Sequence, residues 1–232
     1  PMLETSEIIP YKGLRKIIGK RMEISGAYPM TYQGIYVDVT DLLAYRKRIN
    51  AEKGASLTVN DFIIRAASLA LQRTPMNSSF NEDMTKIHVY SSYNISVMTA
   101  SAHGLVAPVL KDTQDKDIYQ LSAEMKALID KANAGKLMPD DYSDGTFGIT
   151  NIGKLNSYDS VPLPQPTQAA IMAACTAKKM PVVVEKDGED TVAIRTMMKI
   201  VIGGDHRILD GVPLASFIND MKTLMEDPQS LT

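Results

Sequence analysis

Apolar positions along the chain recur with two periods, about 3.6 residues in some stretches and about two in others, and the switches between them outline the elements. Residues 12–25 (KGLRKIIGKRMEIS) set Leu14, Ile17, Ile18 and Met22 on one side and predict a helix. Residues 32–39 (YQGIYVDV) read as a strand. Thr40 then reads as the cap of a helix running to about residue 53, with Leu42, Leu43 and Ile49 inward. Residues 57–74 (LTVNDFIIRAASLALQRT) are apolar around most of a helical circumference, the mark of a helix buried on several sides. Thr58 and Asp61 resemble a capping box at its start, and Pro75 is expected to stop it.

Residues 86–99 and 104–110 have the look of strands, and residues 118–134 of a helix ended by Gly135. Strand character returns at 145–153, 169–177 and 181–184. Asp187-Gly188 signals a hairpin into a long strand over 191–202, which Gly203 and Gly204 are expected to end. After Gly211 a final amphipathic helix carries Leu214, Phe217, Ile218, Met221, Leu224 and Met225 on its apolar side. Strands and helices do not alternate one by one, which disfavours a doubly wound nucleotide fold. The expected fold class is α+β, a mixed β-sheet flanked by helices. Residues 1–10 read as an arm or linker remnant and 11–232 as one domain, a fragment of a longer chain.

Composition narrows the partners. The chain has 232 residues, and 25 Lys+Arg nearly cancel 27 Asp+Glu. That balance offers no general pull toward nucleic acid or an anionic membrane. The basic side of helix 12–25 (Lys12, Arg15, Lys16, Lys20, Arg21) reads either as a solvated face or as one or two cations turned toward an anion. One cysteine excludes a disulfide framework and points to a reducing compartment such as the cytoplasm. No apolar run approaches the roughly 20 residues of a membrane span. The histidines His88, His103 and His206 lie far apart with no paired metal-ligand spacing, so no metal site is expected.

No phosphate-cradling glycine loop and no nucleophile elbow occur. Cys175, among alanines without a basic neighbour, reads as an inert buried thiol. His88 reads as a structural or exposed strand residue, and His103, beside Gly104, as a solvated turn residue. The one dense constellation is Gly203-Gly204-Asp205-His206-Arg207-Ile208-Leu209-Asp210-Gly211. It sets an imidazole, which titrates near neutrality, at a strand-to-helix junction. Spacing alone leaves His206 open between a surface turn residue and a catalytic base.

At this constellation a family resemblance enters. DHRILDG resembles the DHRxxDG signature of the dihydrolipoyl acyltransferases, the core enzymes of the 2-oxo acid dehydrogenase complexes. KGLRKIIGKRM (12–22), VDVTDLLAYRKRIN (37–50), SLTVNDFIIRAASLAL (56–71), NISVMTASAHGLVAPVLKD (94–112) and AGKLMPDDYSDGTFGITNIG (134–153) resemble its other segments, in order. More distantly, the pattern is similar to chloramphenicol acetyltransferase and to peptide-synthetase condensation domains. The resemblance implies a chloramphenicol acetyltransferase-like fold and transfer of an acyl group between a dihydrolipoyl thioester and coenzyme A.

The resemblance implies site residues too. His206 falls at the family's general base and Thr150, in Ile149-Thr150-Asn151, at its oxyanion donor. Asp210 falls at the signature's second polar position, where it is expected to pair with an arginine, Arg21 or Arg15, and brace the loop. Gly211 allows the tight turn into the last helix. For coenzyme A, the co-substrate, contacts carry over to Arg46, Thr58, Thr150 and Asn151. Implied partners are two further copies in a trimer, with His206 of one chain facing Thr150 of the next, and a larger cage contacted by residues 212–232. A lipoyl domain absent from this chain, a decarboxylase and a dihydrolipoyl dehydrogenase complete the set. In a eukaryote the location would be the mitochondrial matrix.

Departures from the family lie at 153–160, which lacks the usual glycine run, at Cys175 in place of a common glycine, and in the longer proline-rich 161–168. They bear on channel shape and acyl preference; Thr150 in place of serine hints at a succinyl group. Two other readings compete: a small-molecule O-acetyltransferase of the chloramphenicol acetyltransferase type, and a non-catalytic scaffold subunit. Retention of His206 and Asp210 counts against the second.

Overall fold

The structure, a computed structural model, describes residues 5–81, 83–102 and 104–232. His103 and the first four residues of the expected arm lie outside the described residues. In chain order the elements are α1 (Leu14–Gly26), β1 (Met30–Asp38), α2 (Thr40–Lys53), α3 (Val59–Leu71), β2 (Ser78–Phe80), β3 (Ile87–Val89), β4 (Ile95–Ser101), β5 (Gly104–Val106), β6 (Val109–Leu110), α4 (Ile118–Asn133), β7 (Phe147–Asn151), β8 (Ala170–Ala174), β9 (Lys178–Lys186), β10 (Glu189–Asp205) and α5 (Gly211–Glu226). The sheet runs β1-β10-β8-β7-β4, with β5 and β6 both on β4 and β9 on the outer half of β10. Among the described residues only β4–β7 and β7–β8 pair in parallel, so the sheet is mixed, as expected.

One sheet face carries the core. Alternation sends Phe147 and Ile149 of β7, and Met198, Ile200 and Ile202 of β10, into a cluster with Phe62, Leu71, Leu214, Phe217 and Met221 of the helices. Each such large side chain contributes about 1.5–3 kcal/mol by leaving water. The Phe147 and Phe217 rings meet 5.2 Å apart and pin α5 to the sheet centre. Helix α3 is buried nearly all round, and its capping box forms: Thr58 Oγ1 accepts the Asp61 N–H while Asp61 Oδ2 accepts the Thr58 N–H. The last turn, Pro228–Leu231, docks on its own chain, with Leu231 buried and the Tyr45 hydroxyl 2.5 Å from Thr232 Oγ1. So part of the 212–232 segment expected to make cage contacts is used inside the subunit.

Several expectations are corrected. Gly203 and Gly204 do not end the long strand; β10 runs through both to Asp205. They are glycines because neighbours occupy the space of a side chain. A Cβ at Gly203 would lie 2.7 Å from the Tyr32 ring, and one at Gly204 would lie 3.0 Å from Leu214. Helix α3 stops at Leu71, ahead of Pro75, with Gln72 and Arg73 tightening the last turn through bonds to Leu69 O and Ala70 O. The strand-like run 86–99 divides into β3, in a separate ribbon with β2, and β4 in the main sheet. Cys175 follows β8 rather than standing within it. Of the apolar stripe on α1, Ile17 remains 55% exposed while Ile18 and Met22 are half-buried.

Candidate active site

On the sheet face opposite the core, α1, β4, β7 and the 160–168 loop enclose a cavity of about 1390 Å³. Arg21, Met98, Thr150, Gln165, Gln168 and Ile171 are among the residues lining it. Thr150 is held by pairing on both sides, against Met98 of β4 and Ala173 of β8. Its hydroxyl makes no hydrogen bond among the described residues, so it can donate one to an incoming oxygen. Beside it, Gln168 donates from Nε2 to Ser96 Oγ at 2.8 Å, while its Oε1 is enclosed without a partner. Gln168 follows Thr167, a β-branched residue in left-handed backbone with φ 79°.

The coenzyme candidates split into a cluster and an outlier. Asn151 donates from Nδ2 to Asn60 Oδ1 at 3.1 Å and accepts the Gly153 N–H at 2.9 Å. This ties the end of β7 to the start of α3, bringing Thr150, Asn151 and the region of Thr58 together. Thr58 Oγ1 is engaged with Asp61 as a cap. Asn60 was not singled out from the sequence, and nothing local marks it. Arg46 stands on α2 with Nε enclosed and unpartnered, an orphan donor suited to an anionic ligand.

His206 begins the loop between β10 and α5. Its backbone N–H donates to Pro29 O at 2.8 Å, and its side chain is 51% exposed. Nδ1 lies 3.6 Å from Asp210 Oδ1, beyond hydrogen-bond reach but close enough for a protonated ring to feel the carboxylate. Within this chain neither expected arginine reaches Asp210 among the described residues: Arg21 donates to Gln165 Oε1 at 3.3 Å and Arg15 is exposed. The carboxylate–guanidinium pair of this loop is instead Asp205 with Arg207. Both belong to the dense constellation in the sequence, but neither was given a role.

The structure does not bring His206 and Thr150 together in one chain. Thr150 is level with Ala173, and Ala173 with Val201, so His206 lies two strands over and five residues further along. At about 3.3 Å per residue and about 4.8 Å per strand, the gap is roughly 19 Å.

The remaining candidates are bland. Cys175 is buried, and burial pushes its thiol up, with Asp159 acting in the same direction. His88 is exposed on β3, its ring edge-on to Tyr90. Among the described residues no cluster of three His, Cys, Asp or Glu could hold a metal ion, and no helix is long and apolar enough to cross a membrane.

Comparison with known proteins decides the family. Residues 3–232 match the description "2-oxoacid dehydrogenases acyltransferase (catalytic domain)". The chain belongs to this family. A dihydrolipoyllysine-residue acetyltransferase component of the pyruvate dehydrogenase complex from Rickettsia conorii is 37% identical over 231 residues, which are 97% of this chain and 55% of that protein. The chain thus spans about half the length of the curated relatives it matches. A probable dihydrolipoamide acetyltransferase from Listeria monocytogenes superposes with a TM-score of 0.88 at 34% identity, covering 96% of this chain and 95% of that one. The Azotobacter vinelandii dihydrolipoamide acetyltransferase gives a TM-score of 0.89 at 25% identity and covers 100% and 98%. It was solved to probe the roles of a serine, a histidine and, four positions after the histidine, an asparagine in its catalytic mechanism. A cubic core of the pyruvate dehydrogenase multienzyme complex matches equally well, with a TM-score of 0.88 at 25% identity over 100% and 98%. Chloramphenicol acetyltransferase shares the fold alone, with a TM-score of 0.55 at 14% identity over 94% and 99%.

Proposed function

We propose that this acyltransferase domain, residues 11–232 with 1–10 as an arm, moves an acetyl group between a dihydrolipoyl thiol and coenzyme A. The observation that carries the reading is a histidine and an acid four positions apart at a strand end, inside a family match over nearly the whole chain. The Azotobacter histidine and asparagine have the same spacing.

In the forward direction neutral His206 accepts the proton of the coenzyme A thiol. The sulfur attacks the carbonyl carbon of the acyl-dihydrolipoyl thioester, and the carbonyl electrons move onto oxygen. The Thr150 hydroxyl donates to that oxyanion. Collapse re-forms the carbonyl and breaks the old carbon–sulfur bond, and the leaving thiolate takes the proton back from the His206 imidazolium. A thiol of pKa about 8.5 is scarcely ionised at neutral pH, so the base matters. Asp210 faces the ring while it carries positive charge. Thr58, Asn151 and Arg46 hold coenzyme A, Arg46 through its forked, permanent charge.

The roughly 19 Å between His206 and Thr150 in one chain supports a site shared between copies, as in a trimer. The solved cubic core supports further assembly into a cage. The lipoyl group arrives on a separate domain, and a decarboxylase and a dihydrolipoyl dehydrogenase complete the complex, in the cytoplasm or the mitochondrial matrix.

Subunit mixing tests this. His206→Ala and Thr150→Ala chains are each nearly inactive alone; refolded together one to one, they regain about a quarter of intact sites if each site spans two copies. No recovery on mixing would sink the shared site. Assays of acetyl-CoA and succinyl-CoA against dihydrolipoamide and chloramphenicol decide the acyl group and the acceptor. Turnover of the antibiotic alone, or of neither acceptor, would overturn the reading in favour of the small-molecule enzyme or the scaffold.

A further inference from the structure

We infer that Asp205 and Arg207 are positioning residues that clamp the backbone around His206 and so present its imidazole in one place. The inference rests on the reading of His206 as the base.

The backbone N–H groups from Asp205 to Leu209 are all held. That of Asp205 donates to Ala169 O at 2.8 Å and that of His206 to Pro29 O at 2.8 Å. The Arg207 N–H donates to Asp205 Oδ1 at 3.1 Å. Those of Ile208 and Leu209 both donate to Asp205 O at 2.9 Å. Asp205 is thus the hub of the turn through its carbonyl and its carboxylate alike.

The carboxylate is only 2% exposed, where an unpaired charge would be costly. Arg207 satisfies it with a fork, Nε to Oδ1 at 2.9 Å and Nη2 to Oδ2 at 2.6 Å. The guanidinium is itself sandwiched, 4.7 Å from the Tyr28 ring and 5.2 Å from the Phe80 ring. Tyr28 precedes β1 and Phe80 ends β2, so the clamp fastens the loop to two separate parts of the fold. The His206 ring has little to hold it beyond the Asp210 carboxylate at 3.6 Å. Its placement therefore depends on the backbone that these two neighbours fix. A lysine would keep the charge but lose the planar fork and the stacking.

The test uses the whole chain and the variants Arg207→Met, Arg207→Lys and Tyr28→Leu. Acyl transfer, thermal melting and the His206 ring resonances are measured for each; with three histidines in the chain, His206→Ala assigns the signal. Arg207→Met is expected to lower kcat about 100-fold, as a misplaced group does. KM for coenzyme A and for dihydrolipoamide should stay within about twofold, because the clamp touches neither substrate. The single His206 signal should split or broaden. Arg207→Lys should recover only part of the loss, and Tyr28→Leu, which removes one wall of the sandwich, should show a smaller effect of the same kind. Unchanged kcat and an unchanged His206 signal in folded Arg207→Met would overturn the inference. So would a loss of rate shared by both KM values. If Arg207→Met does not fold, Tyr28→Leu decides by the same criteria. If the wild-type chain transfers no acyl group, the functional reading fails by itself, while the ring signal still decides the clamp.

Discussion

The two halves of the proposed site are built by different means. Thr150 sits inside the sheet, its backbone fixed by ladders to Met98 and Ala173 on either side. His206 sits just beyond the sheet, in a loop held by a buried carboxylate, an arginine fork and five engaged N–H groups. The oxyanion donor needs a fixed direction, which a strand supplies at no extra cost. In the proposed site the base protrudes to meet a substrate on another surface; it has left the ladder, and side-chain electrostatics replace what the ladder gave. Under the proposed shared site, the half-exposed ring and the unbonded hydroxyl are two halves that a second copy would join.

Substitutions separate the halves by size of effect. His206→Ala should cost the most, about 10²–10⁴-fold in transfer rate, with no change in melting because the ring packs on little. Thr150→Ala should cost about 10²–10³-fold, and Thr150→Ser, which keeps the hydroxyl, should recover most of it; equal losses in both would argue against an oxyanion role. Next come the glycines beneath each half. Gly204→Ala presses on Leu214 and Leu209 under the His206 loop, and Gly148→Ala presses on Ile171 and Gln168 beside Thr150. Each should lower stability by about 1–3 kcal/mol in denaturant titrations. Gly204→Ala should reduce kcat as well, since a shift of the loop moves the base.

A smaller effect lies away from both halves, where Asp38 of β1 pairs with Arg195 of β10. Burial pushes the Asp38 carboxyl up, but hydrogen bonds from Thr40 and Arg195 outweigh it and leave the group below its ordinary value. A carboxylate lowered in the folded state adds stability above its unfolded pKa of about 3.9, and that stability disappears as pH falls through the acid range. Melting of Asp38→Asn against pH should therefore show a shallower acid limb, with neutral-pH transfer unchanged. The smallest expected signal is at Cys175, whose raised thiol should resist alkylation until the chain unfolds.

Legibility followed the range of the interactions involved. The Thr58–Asp61 box and the Asp187-Gly188 turn are set within a few residues, and local rules found them; Thr40, read as the cap of α2, is instead its first residue, because its hydroxyl accepts the Thr196 N–H of β10 rather than capping the helix. Gly203 and Gly204 looked like a strand end because a propensity rule cannot see Tyr32 and Leu214 arriving from elsewhere. The stripe of α1 was legible as one helix face, yet Ile17 stays exposed in the single chain, since amphipathicity says that a face wants cover and not what covers it. The brace was expected at Asp210 from the family pattern. Within the chain the loop's ion pair is Asp205 with Arg207, because Asp205 is buried and Asp210 is not, which decides which of the two acids needs a cation there.

From the sequence alone came the element order, the mixed-sheet class, the family resemblance and the short roster of residues able to do chemistry. These depend on side-chain type and short-range spacing, which a linear chain displays in full. Only the folded molecule revealed that Thr150 overlooks a cavity, that Asn151 is tied to Asn60, and that His206 lies about 19 Å from Thr150 within one chain. Those facts arise where strands distant in the chain come into register, and register is decided by the packing of the whole sheet.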